Sequence, residues 1–141
     1  MKYICDAPGG RTWFRLENEA EAAAESQLME HAVEKHFRKA WEKAKASFVP
    51  ASSRYIEQEI GQKAHIQRNM PLFLTLRDKE GETLVTAMLP PRGEYDPHFR
   101  PIIVGRGNSD PYPMFGDAIR ALGEHFDLEL DREDCYPYQR G

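Results

Sequence analysis

The longest regular pattern of apolar and polar positions in the chain runs from Asn18 to Phe48. At 100° per residue its apolar residues fall on one helical stripe: Met29, Val33, Phe37, Ala40, Trp41, Ala44 and Phe48. Asn18 is a suitable N-cap, and glutamates precede lysines along the segment, as the helix dipole favours. Because Pro50 cannot continue a helix, it marks the end. The pattern predicts one long amphipathic helix with a face to bury.

Two pairs of short apolar runs have the composition of β-hairpins. Residues 3–5 and 12–16 are aromatic or β-branched, and the proline and two glycines between them favour a turn. Residues 72–76 and 84–89 flank a polar turn in which Gly81 can take a left-handed conformation. The second pair is almost entirely apolar, so we expect it in the middle of a sheet.

Four further elements are weaker. Residues 101–104 are a proline followed by three β-branched residues, and residues 126–130 alternate strictly between apolar and polar, so both segments predict short strands. A helix beginning at Ser52 or Ser53 would carry Ile56, Ile60 and Ala64 on one face, although Gly61 weakens it. Asp110 followed by proline is a typical start for another helix.

These elements follow one another in the order ββααβββαβ. We therefore predict an α+β fold, with a mostly antiparallel sheet and one long and two shorter helices packed on one side of it. Residues 1–130 would form a single domain, and residues 131–141 a loosely held C-terminal tail.

Composition narrows the classes of protein to which the chain can belong. Of its 141 residues, 40% are hydrophobic and 30% charged, and the net charge is −4. These values are typical of a globular protein without a general attraction to nucleic acid or to anionic membranes. The start of the chain lacks the apolar run of a signal peptide, and no segment resembles a membrane span. We expect a cytoplasmic protein in which Cys5 and Cys135 are free thiols.

The segment from Pro90 to Pro113 is the strongest candidate for a functional surface. It holds six of the ten prolines and contains only one short predicted strand. Connections of this length are often functional, and prolines reduce the entropy lost when a loop binds a partner. An equally consistent interpretation is a rigid crossing that covers one end of the sheet. The candidate residues for ligand or partner binding are Arg92, Glu94, Asp96, His98, Arg100, Arg106, Asn108 and Asp110.

The preferred functional hypothesis is a small non-catalytic binding protein that contacts a protein or a small molecule through this loop. No catalytic residue, metal or cofactor is assigned. The alternative is a small enzyme or metal-dependent protein that uses Glu94, Asp96, His98 and Asp110, because a mixed carboxylate and imidazole set suits a metal. A pocket that converges on those side chains would favour this alternative.

A third hypothesis is a nucleic-acid accessory protein acting through the basic residues of the long helix and the next one: Lys35, Arg38, Lys39, Lys43, Lys45, Arg54, Lys63 and Arg68. Glu34 and Glu42 are interleaved with these cations, however, and alternating charges usually mark a solvated helix face. Nucleic acid is therefore not the favoured partner.

Self-association is also expected. A helix of 30 residues is about 45 Å long, which exceeds the diameter of about 37 Å for a compact chain of this size. Its first half carries a second weak apolar face formed by Ala24, Leu28 and Ala32. Either the chain's own tail or a second subunit, in a homodimer, would cover the part of the helix that overhangs the sheet.

Overall fold

Five antiparallel strands form one sheet in which the strands are neighbours in chain order. A computed structural model describes residues 1–138 of the chain. Its strands are β1 (Lys2–Ala7), β2 (Arg11–Arg15), β3 (Leu72–Arg77), β4 (Thr83–Leu89) and β5 (Ile102–Val104), and its helices are α1 (Glu19–Met29), α2 (Val33–Ala46), α3 (Tyr55–Asn69) and α4 (Tyr112–Phe126). The predicted α+β class with a mostly antiparallel sheet is confirmed.

The predicted long helix is two helices. Asn18 is its N-cap, as expected, and its side chain accepts a hydrogen bond of 2.9 Å from the amide of Glu21. The first helix ends at Glu30, which adopts a left-handed conformation with φ of 54°. The Ser26 hydroxyl then accepts a bond of 2.8 Å from the amide of Glu34 and so caps the start of α2. Because Ser26 belongs to α1 and its hydroxyl caps α2, the chain can turn here without glycine or proline.

The helices cover both faces of the sheet rather than one. Side chains alternate along β3, so Leu72, Leu74 and Leu76 face α4, whereas Phe73 faces the first three helices. On the α4 side, the indole nitrogen of Trp13 donates a bond of 2.9 Å to the carbonyl of Ala118. On the other side the rings of Phe37 and Phe73 meet edge to face, with centroids 5.2 Å apart. The sheet therefore lies between two apolar clusters.

The α3 helix turns its predicted apolar stripe outward. Its contact with the end of α2 uses Gly61 and His65, both of which lie against the ring of Phe48. The Ser47 hydroxyl and Nε2 of His65 are 2.8 Å apart. Ile56 and Ile60 consequently remain exposed in solvent.

The predicted strand at residues 126–130 does not form. Asp127 takes a left-handed conformation with φ of 56°, and the amide of Leu128 donates to the carbonyl of Gly123 at 2.9 Å. These contacts end α4 in a tight turn, so the backbone is not available for a ladder. Leu130 is nevertheless buried, which accounts for the apolar alternation in the sequence.

Much of the segment predicted as a loosely held tail contacts the sheet in the structure. Cys135 is buried in the cluster beneath α4, and Tyr136 forms a parallel bridge with Ile102 at the outer edge of β5. Residues 139–141 of this segment lie outside the described residues. Between residues 1 and 138, no helix is long and apolar enough to cross a membrane.

Two aromatic residues of the predicted stripe, Phe37 and Trp41, differ in burial. Phe37 is 3% exposed, whereas Trp41 is 37% exposed and lies beside the amine of Lys45. We therefore expect Phe37→Ala to lower the free energy of unfolding by about 3–5 kcal/mol, and Trp41→Ala by less than half as much. Urea unfolding of both variants measures this difference. Equal losses at the two positions would contradict the packing described here.

Candidate functional site

A cleft of about 310 Å³ opens beside the corner between α1 and α2. Strands β4 and β5 form its floor, and the turn after β5 and the segment 136–137 form its outer wall. Its lining is mainly apolar: His31, Ala32, Val33, His36, Phe73, Thr86, Ala87, Met88, Ile102, Val104, Asn108, Tyr136 and Pro137. The volume and the few polar groups are those of a site for a small molecule.

A buried carboxylate lies directly behind this cleft. Glu25 projects from α1 towards the sheet and is 0% exposed. Its Oε2 accepts a bond of 2.5 Å from the hydroxyl of Thr86, and its Oε1 accepts a bond of 3.1 Å from the guanidinium of Arg77. Nε of Arg77 also donates to the hydroxyl oxygen of Thr75 at 3.1 Å. The charge of Glu25 is thus compensated by groups from both central strands.

His31 extends this network into the cleft. Its Nε2 lies 2.9 Å from the oxygen of Thr86, and its Nδ1 accepts a bond of 3.4 Å from the amide of Val33. Because the Thr86 hydroxyl donates its only proton to Glu25, its oxygen must accept from Nε2 of His31. The network therefore requires the neutral imidazole that carries its proton on Nε2.

Burial shifts the pKa values of Glu25 and His31 in the direction that favours the neutral form of each group. Desolvation raises the pKa of Glu25, although hydrogen bonds from Thr86 and Thr75 and the charge of Arg77 act against this shift. Desolvation lowers the pKa of His31, and the neighbouring His36 lowers it further. The neutral imidazole that the hydrogen bonds require is therefore also the form that burial favours.

Two imidazoles, those of His31 and His36, line the cleft. His31 lies in the turn between α1 and α2, and His36 lies one turn into α2, so helical spacing does not relate them. Among residues 1–138, no group of three or more His, Cys, Asp or Glu side chains is arranged to hold a metal ion.

The eight residues predicted as a binding surface lie in three places. Arg92 and Glu94 pair with each other, with Nε and Oε1 3.2 Å apart, and Arg92 also donates to the carbonyl of Arg68 at 3.0 Å. This pair holds the loop against the end of α3. Both residues are exposed, and neither lines the cleft.

A second group follows a broad groove on the outside of the loop. Asp96, His98 and Arg100 line it, opposite Asp127 and Glu129. A carboxylate oxygen of Asp96 accepts a bond of 2.9 Å from the amide of His98 and shapes the turn between them. Glu94 and Asp110 do not line this groove, so it does not bring together all four side chains of the metal or enzyme hypothesis.

The third group surrounds the turn before α4. Asp110 accepts a bond of 3.0 Å from the amide of Tyr112 and pairs with Nε of Arg132 at 2.9 Å. Arg106 is exposed next to it. Of the eight residues, Asn108 alone reaches the cleft, where it lines the rim in a left-handed conformation with φ of 62°.

The two cysteines are free thiols, as predicted. Burial raises the pKa of Cys135 to about 11 and also raises the pKa of Cys5. Both thiols are therefore protonated at neutral pH and are poor nucleophiles.

The network was missed because each of its residues has an ordinary explanation in the sequence. Glu25 is one of the glutamates that precede the lysines of the predicted long helix, an arrangement that the helix dipole alone explains. Glu25 lies three residues after Ala22 and four before Met29, and this spacing places it on the buried face of α1. The spacing is the feature of the sequence that indicates a buried carboxylate. Thr75 and Thr86 are polar residues within otherwise apolar strands, and they are the feature of the sequence that indicates hydrogen-bonding partners for that carboxylate on the sheet.

The lowered pKa of His31 gives a pH-dependent stability. Below pH 6.5 the imidazole of His31 is protonated in the unfolded chain but stays neutral in the folded protein. The contribution of His31 to the free energy of unfolding is therefore present at neutral pH and is lost as the pH falls through the folded pKa. We expect His31→Gln to destabilise the protein more at pH 7.5 than at pH 5. Chemical unfolding at both values measures this; an equal loss at the two would contradict the assignment.

Comparison with protein-family models, with curated proteins and with solved structures finds no match to this chain. The function must therefore be argued from the chemistry of the cleft and its surroundings.

Proposed function

We propose that the protein is a non-catalytic binding protein that takes a small, largely apolar molecule into the cleft between the α1–α2 corner and strands β4 and β5. The observation that carries this proposal is the concave apolar lining, which is interrupted by only a few polar groups and has a buried hydrogen-bonded network behind it. Apolar walls supply affinity to such a site, and the polar groups orient the ligand.

The proposal retains part of the surface predicted from the sequence. Ile102, Val104 and Asn108 belong to the proline-rich segment and line the cleft. A cytoplasmic location and the remaining candidate residues stay predictions.

The hydrogen bonding of the polar groups favours binding over catalysis. The hydroxyl of Thr86 donates to Glu25 while accepting from His31, and both ring nitrogens of His31 are engaged. An activated nucleophile requires a base that is free to take its proton. In this structure the imidazole of His31 and the hydroxyl of Thr86 already form the hydrogen bonds that stabilise the corner between α1 and α2.

The charges on the helices also favour a small molecule over nucleic acid. Arg38 pairs with Glu19 and Glu34, with N–O distances of 2.7 and 2.9 Å. Arg54 pairs with Glu57 in the same way, at 3.2 Å. These pairs neutralise two of the eight cations of the nucleic-acid hypothesis and so reduce the positive potential that phosphates require.

A set of small aromatic probes tests the proposal. Indole, benzimidazole and p-cresol each combine an apolar ring with one hydrogen-bonding group, which matches the lining. In ¹⁵N–¹H NMR titrations we expect saturable shifts at the amides of Val33, Val104 and Asn108, with dissociation constants in the micromolar to millimolar range for ligands of this size.

Two matched substitutions locate the binding. Ala32 is exposed and lines the cleft, so Ala32→Trp should fill it and weaken binding of the best probe at least tenfold. Ala24 is exposed on α1 away from the cleft, so Ala24→Trp should leave affinity unchanged. The absence of saturable shifts, or equal affinity in the two variants, would contradict the proposed site.

A further inference from the structure

The outer face of α3 carries an apolar stripe that no other described residue covers. Ile56 is 69% exposed and Ile60 is 64% exposed, and Ala64 continues the stripe one turn further on. The opposite side of α3 packs on α2 through small and polar residues, so the outward orientation is fixed.

We infer that this stripe is a dimerisation surface whose partner is a second copy of the chain, with the two α3 helices packed antiparallel around Ile60. An antiparallel pair is generated by a two-fold axis, which is the commonest symmetry of protein dimers. The α3 surface lies apart from the cleft, so this inference is independent of the proposed function.

The size of the surface suits this partner. Ile56, Ile60 and Ala64 leave a narrow apolar strip in water, with charged residues on both sides of it. A stable interface buries about 800 Å² on each partner, and much of that is a polar rim. A contact with this small apolar centre and charged rim lies at the low end of interface sizes, which fits a reversible dimer.

The arrangement of shape and charge is self-complementary. With Ile60 at the two-fold axis, Ile56 of one chain lies opposite Ala64 of the second copy, so a large side chain meets a small one. Glu59 and Lys63 lie on the same flank of the stripe, 40° apart around the helix. An antiparallel partner brings its own Lys63 to the flank that carries Glu59, within reach of a salt bridge.

Sedimentation velocity of the full chain between 1 and 300 μM tests the inference. We expect a reversible equilibrium between monomer and dimer, and at least a tenfold weaker dimer for Ile60→Asp. Leu28 is also an exposed apolar residue, but it lies on α1, so Leu28→Asp is the matched control and should leave the equilibrium unchanged. A strict monomer at 300 μM, or equal effects of the two substitutions, would overturn the inference.

A complementation experiment tests the antiparallel arrangement. Glu59→Lys makes the flank wholly basic, and Lys63→Glu makes it wholly acidic, so each variant alone should dimerise at least tenfold more weakly than the wild type. An equimolar mixture of the two should regain the affinity of the wild type, because every lysine then faces a glutamate of the other chain. Both residues are exposed, and circular dichroism confirms that each variant is folded. A mixture that stays monomeric would overturn the arrangement.

Discussion

The structure depends on the burial of one carboxylate, that of Glu25, between the first helix and the sheet. An isolated charge cannot be removed from water without a large free-energy penalty, so it must find partners. The guanidinium of Arg77 and the hydroxyl of Thr86 supply them from neighbouring strands. These contacts restrict α1 to one position and one rotation on the sheet, which apolar packing alone would specify less sharply.

The geometry of the cleft follows from the same contacts. Thr86 connects Glu25 to His31, and His31 accepts from the amide of Val33, the first residue of α2. The chain therefore leaves α1 in a fixed direction, and α2 begins where Phe37 can meet Phe73. The helices cover the central strands but leave the surface near β5 open. The cleft is the space that remains between the corner and that edge of the sheet.

Local patterns predicted the individual elements better than their arrangement. The amide oxygen of Asn18 caps α1, and the polar turn around Gly81 joins β3 to β4, because both depend on neighbouring residues. The break at Glu30 was not predictable in this way, since a left-handed glutamate is unfavourable alone and persists because Ser26 and His31 bind both sides of the turn.

Periodicity also cannot specify which face of a helix packs against the rest of the protein. Periodicity identified the stripe of Ile56 and Ile60, but not that it faces solvent, because the contacts of Phe48 with Gly61 and His65 determine which side of α3 packs. The binding surface was assigned to the proline-rich loop because its polar residues cluster in sequence. Most of them form hydrogen bonds within the loop or to its supports, whereas the cleft is built from residues far apart in the chain.

A double-mutant cycle between Glu25→Gln and Thr86→Val tests the central claim most directly, with the free energy of unfolding as its readout. Both substitutions approximately preserve side-chain shape: Glu25→Gln removes the charge of the acceptor, and Thr86→Val removes the donor. If this bond holds the helical layer on the sheet, the two losses should be coupled by about 1.5 kcal/mol or more. Losses that add to within about 0.5 kcal/mol would show that the two residues act independently and would contradict the account.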